Sequence, residues 1–223
     1  STLTLKAVFF DLDGTLLDTA LDLGGALNAL LRDHGREPLA DALIRGHVSN
    51  GANALIELGF ELTPEAAGFQ PLREGLLAHY LANLASNTLP FPGIEALIQN
   101  LAEQRIAWGI VTNKPWIYTE PLMEQFEFAC APAVTLCPDH VADRKPHPES
   151  LILACQRVGC EVDEAIYVGD HERDIECGRR AGMPTIAVGY GYLTEPDAHK
   201  TWNATHAVAH PEELWPIIRR YIK

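Results

Sequence analysis

The sequence predicts an α/β fold: a doubly wound, Rossmann-like parallel sheet, interrupted after its first strand by an all-helical insert. Three observations predict it. Short, almost wholly apolar runs, the pattern of strands buried on both faces, recur from Leu5 to Val208. From Gly93 onward such runs alternate with helical periods, as parallel crossover units require. Between the first run and that alternation, residues 17–86 carry helical spacing almost throughout. The expected organisation is a core built from residues 1–16 and 87–223, with the helical insert over 17–86.

Leu5 to Phe10 reads as a buried strand that ends at Asp11. In TALDLGGALNALLRDHG, Leu23, Leu27, Leu30 and Leu31 keep helical spacing, and Gly35 and Pro38 stop the helix. LADALIRGHVSNGANALIELGF reads as two short helices around the loop Ser49, Asn50, Gly51. Thr63 before Pro64 is the pattern of an N-cap followed by proline at the first helical position. That helix is expected to run on through LREGLLAHYLANLA, with a kink at Pro71. NTLPFPG (87–93) reads as a linker, since two prolines and a glycine cannot share one helix.

The second half then alternates. IEALIQNLAEQ is helical, RIAWGIVTN a strand, IYTEPLMEQF helical and AVTLC a strand. PESLILACQRVG is helical, AIYVGD a strand, DIECGRRAG helical and PTIAVGYG a strand. HAVAHPEELWPIIRRYI gives a last short strand and a helix from near Pro211. There is no internal repeat and no low-complexity tract.

In such sheets the loops at the carboxyl ends of the strands gather into one crevice. After the first strand come Asp11 and Asp13, then Gly14 and Thr15. After IAWGIV come Thr112, Asn113 and Lys114. The loop after AVTLC carries Lys145, and AIYVG is followed by Asp170 and Asp174. Each residue alone has an ordinary explanation: acids and hydroxyls cap helices and close turns, and most lysines are solvated. Together they suit phosphoryl chemistry. A carboxylate can attack phosphorus, and phosphoryl transfer depends on positioning and charge stabilisation. Asp11, Asp13 and Asp170 in one crevice would repel one another unless a cation sits among them, and an all-oxygen set suits Mg²⁺. Thr112 and Lys145 would contact the phosphate, and Gly14 would let the backbone approach it.

DLDGT, VTN, RKP and GDHERD resemble, in order and spacing, the four motifs of the haloacid dehalogenase-like hydrolase superfamily. The resemblance implies that Asp11 is the nucleophile and that Asp13 protonates the leaving oxygen and then activates water. It implies that Asp11 and Asp170 hold Mg²⁺ by carboxylate and Asp13 by its carbonyl, with Asp174 supporting the metal side. The helical insert would be the superfamily's cap, moving over the site. Asp13 argues for phosphatase over dehalogenase members, which lack that residue. HVSNGANALIELGF resembles the cap segment of the phosphoglycolate phosphatase group, so Arg45, Ser49, Asn50 and Gly51 are candidate substrate-binding residues, with Gly14, Thr15 and Asn113 on the core side. WGIVTNKP, LCPDHV and KPHPESLILAC resemble the bacterial N-acetylmuramic acid 6-phosphate phosphatases. The expected substrate is a small phosphorylated sugar or hydroxy acid. A sugar phosphomutase and a non-catalytic phosphate-sensing module are the alternatives.

Seventeen basic residues stand against 30 acidic ones, a formal net charge of −13, which gives no reason to bind nucleic acid or an anionic membrane. No apolar stretch is long enough to span a bilayer and the first residues lack a signal-peptide pattern. Five cysteines, an odd number without a CxxC pair, fit reduced thiols and a cytoplasmic location. A monomer or weak homodimer is expected.

Overall fold

The structure, a computed structural model, describes residues 4–223. The elements follow in chain order: β1 (Ala7–Phe10), β2 (Leu17–Asp18), α1 (Ala20–Asp33), α2 (Asp41–Arg45), α3 (Gly51–Phe60), α4 (Phe69–Ala82) and β3 (Leu89–Pro90). Then come α5 (Ile94–Glu103), β4 (Ala107–Val111), α6 (Trp116–Met123), β5 (Val134–Leu136), α7 (Glu149–Val158), β6 (Ala165–Gly169), α8 (Glu172–Ala181), β7 (Thr185–Val188), β8 (His206–Val208) and α9 (Leu214–Ile218).

Six strands form one sheet in the order β5-β4-β1-β6-β7-β8, and every neighbouring pair is parallel. β1 lies inside it, with Phe10 opposite Ile110 on one side and Val168 on the other. Its alternate side chains enter two cores. Val8 and Phe10 join Ile94, Ile98 and Leu101 of α5 and Leu214 of α9. Ala7 and Phe9 join Leu151 and Ala154 of α7 and Cys177 of α8. Both faces are therefore covered, which explains why the strands read as unbroken apolar runs. All five cysteines are free. Among the described residues no helix is long and apolar enough to cross a membrane.

The segment between β2 and β3 is helical, as its spacing predicts. Leu27, Leu30 and Leu31 of α1 share a core with Leu55 and Ile56 of α3 and Leu72 and Leu76 of α4. Three local expectations are corrected. Thr63 does not cap a helix: its carbonyl accepts the Ala66 N–H in a turn, and α4 begins only at Phe69. Gly68, at φ +88°, stands in the left-handed region immediately before it, so no helix can run through from Pro64. Pro71 falls in the first turn of α4, where its missing N–H has no helical partner to lose, and the expected kink has no cause. Ser49 and Asn50 are not an open loop but lie in a short 3₁₀ turn over Val48–Asn50, which leads directly into α3 at Gly51.

NTLPFPG is more than a linker. Leu89–Pro90 pairs antiparallel with Leu17–Asp18, with Asp18 opposite Leu89. The ribbon is tied down further by Asp22, whose carboxylate accepts the Asn87 N–H at 2.9 Å and the Thr88 hydroxyl at 2.7 Å. Nearby, the Tyr192 hydroxyl accepts the N–H groups of Thr19 (2.7 Å) and Ala20 (3.0 Å) and donates to Asp18 (3.0 Å), so it closes the open N-terminal end of α1.

Candidate active site

The carboxyl ends of β1 and β4 and the loop after β5 meet the helical segment across a cavity of about 670 Å³, while Asp170 and Asp174, after β6, lie buried behind its lining. Asp11, Asp13, Thr112, Asn113, Lys114 and Lys145 line it from the sheet side. From the helical side come Ser49, Asn50, Gly51, Asn53, Arg73 and Tyr80.

Lys145 organises the floor. It is 3% exposed, and its ammonium shares three N–H groups among four acceptors: Asp11 Oδ1 (3.1 Å), Asp174 Oδ1 (2.7 Å), the Val111 carbonyl (3.0 Å) and the Tyr167 hydroxyl (2.7 Å). Burial disfavours its charge, but Asp11 and Asp174 more than offset that and raise its pKa. Asn113 fixes the backbone of the same residue by donating to the Lys145 carbonyl at 3.0 Å. Asp174 starts α8: its Oδ2 accepts the His171 N–H at 3.1 Å, and the His171 ring accepts the Arg173 N–H at 3.1 Å. Burial works against the Asp174 carboxylate, yet Lys145 and Arg173 hold its pKa below the usual value.

Asp11 and Asp170 behave oppositely. Burial, then repulsion from Asp174, pushes the Asp11 carboxyl well above the ordinary carboxylate range. The same two causes raise Asp170, although it accepts hydrogen bonds from Tyr192 N–H (2.9 Å), Ser49 hydroxyl (2.8 Å) and Thr15 hydroxyl (3.2 Å). One buried ammonium does not neutralise this group. Asp11, Asp170 and Asp174 offer oxygens within 4.8 Å of one another, a hard-donor set that fits an oxygen-seeking divalent cation. Such a cation would lower both raised carboxylates. The sequence expectation adds the Asp13 backbone carbonyl to the Asp11 and Asp170 carboxylates. The Asp13 carboxylate is engaged elsewhere, by Lys114 at 2.9 Å and the Thr19 hydroxyl at 2.6 Å. A second acidic group, Asp143, His147 and Glu149, lies at the surface, where Glu149 accepts the N–H groups of Ala142 and Asp143 and closes their loop.

Not every expected residue reaches the cavity. Arg45 ion-pairs with Asp18 at 3.1 Å and lies over the Tyr192 ring, because those partners flank α2 on its core side. It lines a separate small pocket with Gly191 and Thr194. Thr15 is fully buried, facing Asp170. Gly14, at φ +85°, packs so tightly on Asp170 that a Cβ there would collide with the carboxylate. These two shape the floor from behind. Ser49, Asn50 and Gly51 do line the cavity, but Ser49 spends its hydroxyl on Asp170, and Asn50 Oδ1 meets His171 Nε2 at 2.9 Å.

Two groups carry more than the sequence reading assigned them. The Lys114 side chain is only 7% exposed, bonded to Asp13, and covered by the Tyr80 ring of α4 at 4.5 Å. Burial lowers its affinity for the proton, but Asp13 and Tyr80 reverse that and raise its pKa. Its place directly after Thr112 and Asn113 was the available signal. Tyr167 supports Lys145 from the middle of β6 and bonds the Val111 carbonyl at 2.6 Å, and nothing in the alternation of a buried strand marks such a role.

Acids at two strand ends around a buried lysine, on one parallel sheet beneath a helical segment, define an enzyme with a Rossmann-like core and an acidic strand-end site. A family model described as haloacid dehalogenase-like hydrolase matches residues 8–188, and the chain belongs to that family. It is 44% identical over 214 residues to an N-acetylmuramic acid 6-phosphate phosphatase of Pseudomonas putida, covering 96% of each chain. It is 39% identical over 210 residues to a phosphoglycolate phosphatase of Xanthomonas campestris pv. campestris, covering 94% of this chain and 95% of that one. In fold it matches a predicted phosphoglycolate phosphatase from Haemophilus somnus with a TM-score of 0.83 at 23% identity, over 97% of this chain and 99% of the other.

Proposed function

We propose that the protein is a Mg²⁺-dependent phosphomonoesterase acting on a small phosphorylated sugar or hydroxy acid. One observation carries the reading: Asp11 ends β1 in the cavity with Oδ1 held by Lys145 and by the Leu12 N–H (2.8 Å), which leaves Oδ2 to attack. Oδ2 forms a bond to phosphorus as the ester P–O bond breaks, and the product is an aspartyl phosphate. Asp13, held by Lys114 and Thr19, gives a proton to the departing ester oxygen. It then takes a proton from water, which attacks phosphorus and restores the Asp11 carboxylate. Thr112 binds the phosphate oxygens, and the Lys145 ammonium beneath Asp11, its N–H groups already shared among protein acceptors, stabilises their growing charge.

Asp11 and Asp170, with Asp13 and Asp174 beside them, are the residues that would hold Mg²⁺. The ion would neutralise carboxylates and phosphate together. The α1–α4 segment serves as the cap, excluding water and presenting its own groups to the part of the substrate beyond the phosphate. The relatives' names, a sugar acid phosphate and a phosphorylated hydroxy acid, support a small anionic ester. The test is phosphate release from a panel of such esters with Mg²⁺, with excess chelator, and with Asp11→Asn. Release that needs Mg²⁺ and is lost in Asp11→Asn is expected. Release that persists in Asp11→Asn would falsify the assignment of the nucleophile.

A further inference from the structure

The cavity is cationic beyond what one phosphate needs. Arg73, Lys114, Arg144, Lys145 and Arg173 line it against only Asp11 and Asp13, in a chain whose net charge is −13. Lys114 and Lys145 are paired with those two acids. Among the described residues none of the three arginines forms an ion pair. Arg173 donates to the Ser49 carbonyl, and Arg144 is exposed at the rim.

Arg73 is different. It is half-buried in α4, and its Nε–H donates to Asn53 Oδ1 of α3 at 2.8 Å. Among the described residues, both terminal nitrogens are left without a partner. That free edge is the part of a guanidinium that grips a carboxylate by two parallel bonds.

Its position on α4 sets a length. Arg73, Leu77 and Tyr80 line the cavity from one face of the helix. Tyr80 marks the reacting end, because its ring covers Lys114, which holds Asp13. Arg73 stands two turns back, about 10 Å along the axis. In a two-carbon phospho acid, three bonds separate phosphorus from the carboxyl carbon, a span of about 4 Å. A carboxylate carried on the far edge of a phosphorylated sugar ring covers more of that length.

We propose that Arg73, oriented by Asn53, recognises a carboxylate on a sugar-sized framework, so that the cavity is built for a phosphorylated sugar acid and not for a short phosphorylated hydroxy acid. The proposal rests on the phosphatase reading above. The test compares three esters: N-acetylmuramic acid 6-phosphate, N-acetylglucosamine 6-phosphate, which keeps the ring and phosphate but lacks the carboxylate, and phosphoglycolate. In Arg73→Met, the preference for the first ester over the second, taken as a ratio of kcat/KM, should fall on the order of 30-fold, the worth of one charge-assisted bidentate contact. The loss should appear in KM, and Arg73→Lys, which keeps the charge without the fork, should fall between.

Equal losses on both sugar esters overturn the proposal, as does a loss confined to phosphoglycolate. Turnover of the carboxylate-free ester shows that each variant is folded. Calorimetric binding of the two sugar esters to Asp11→Asn, with and without Arg73→Met, separates the two readings. If the parent hydrolyses nothing while the binding preference still follows Arg73, the phosphatase reading falls and the Arg73 assignment stands. If hydrolysis proceeds with no carboxylate preference, the reverse holds.

Discussion

At the floor of the cavity Lys145 has four acceptors for its three N–H groups and is all but inaccessible, while in the roof Arg73 makes one hydrogen bond and, among the described residues, keeps its two terminal nitrogens free. The same contrast runs through their neighbours. Asp170, Asp174 and Tyr167 are buried, and each is bonded to groups from other parts of the chain. Asn53 and Gln70 of the helical segment line the cavity at or near the surface. A network saturated by its own protein holds one geometry and has little left for discrimination. Unsaturated donors on a separate layer do the opposite, so chemistry is expected from the floor and selectivity from the roof.

The sharpest way to break this division is Lys145→Met. It leaves Asp11 and Asp174 buried together without their cation, which should destabilise the fold by about 3–5 kcal/mol. Denaturant unfolding measures that, and phosphate release should drop roughly a thousandfold. A variant as stable as its parent would mean that the floor network is not saturated by Lys145 at all.

Lys114→Met comes next, since Lys114 belongs to the floor by its bond to Asp13 and to the roof by its contact with Tyr80. If Asp13 is the acid–base residue proposed above, loss of the group that orients it should lower kcat by about 10- to 100-fold. A change seen in KM alone would move Lys114 to the selective side of the comparison.

His171 joins the two layers through Asn50, and its titration gives a third measure. Burial, then the Arg173 charge, lowers its pKa from 6.5 to about 4. An unfolded chain therefore takes up a proton near pH 6.5 that the folded chain refuses until about pH 4. The contribution to stability is complete above pH 6.5 and drains away as the pH falls to about 4. Thermal unfolding of His171→Gln should show a shallower decline over that window than the parent. Parallel curves would place the imidazole in solvent.

The smallest effect is expected from Arg45→Ala. Its pair with Asp18 is more than one-third exposed on both sides, and such pairs contribute about 0–1 kcal/mol. Tm should fall slightly and KM should hold. A large rise in KM would return Arg45 to the substrate.

The floor was far more legible in the sequence than the roof. Buried parallel strands are apolar along their length, so a polar residue at the end of AVFF or AIYVG stands out. Asp11, Thr112, Lys145 and Asp170 could all be read that way, each one next to a strand or in the loop that follows it, and Asp174 follows in the first turn of α8. Arg45 and Arg73 could not be told apart, since both are arginines on amphipathic helices. Only tertiary packing turns one toward Asp18 and leaves the other facing the cavity. The start of α4 was misread because the Thr63–Pro64 signal is sound locally and is cancelled five residues later by Gly68. β2 and β3 are each two residues long, too short to leave a period, and Pro90 disguises one of them as a break.

That small ribbon has a consequence for how such a chain can be remodelled. With Asp18 opposite Leu89, residues 19–88 leave and return through a single doorway two residues wide. To the six-stranded sheet the whole excursion counts as one hairpin loop, whatever its length. A foreign roof could be transplanted at that doorway without altering the order of a single strand, and with it a new selectivity over an inherited reaction.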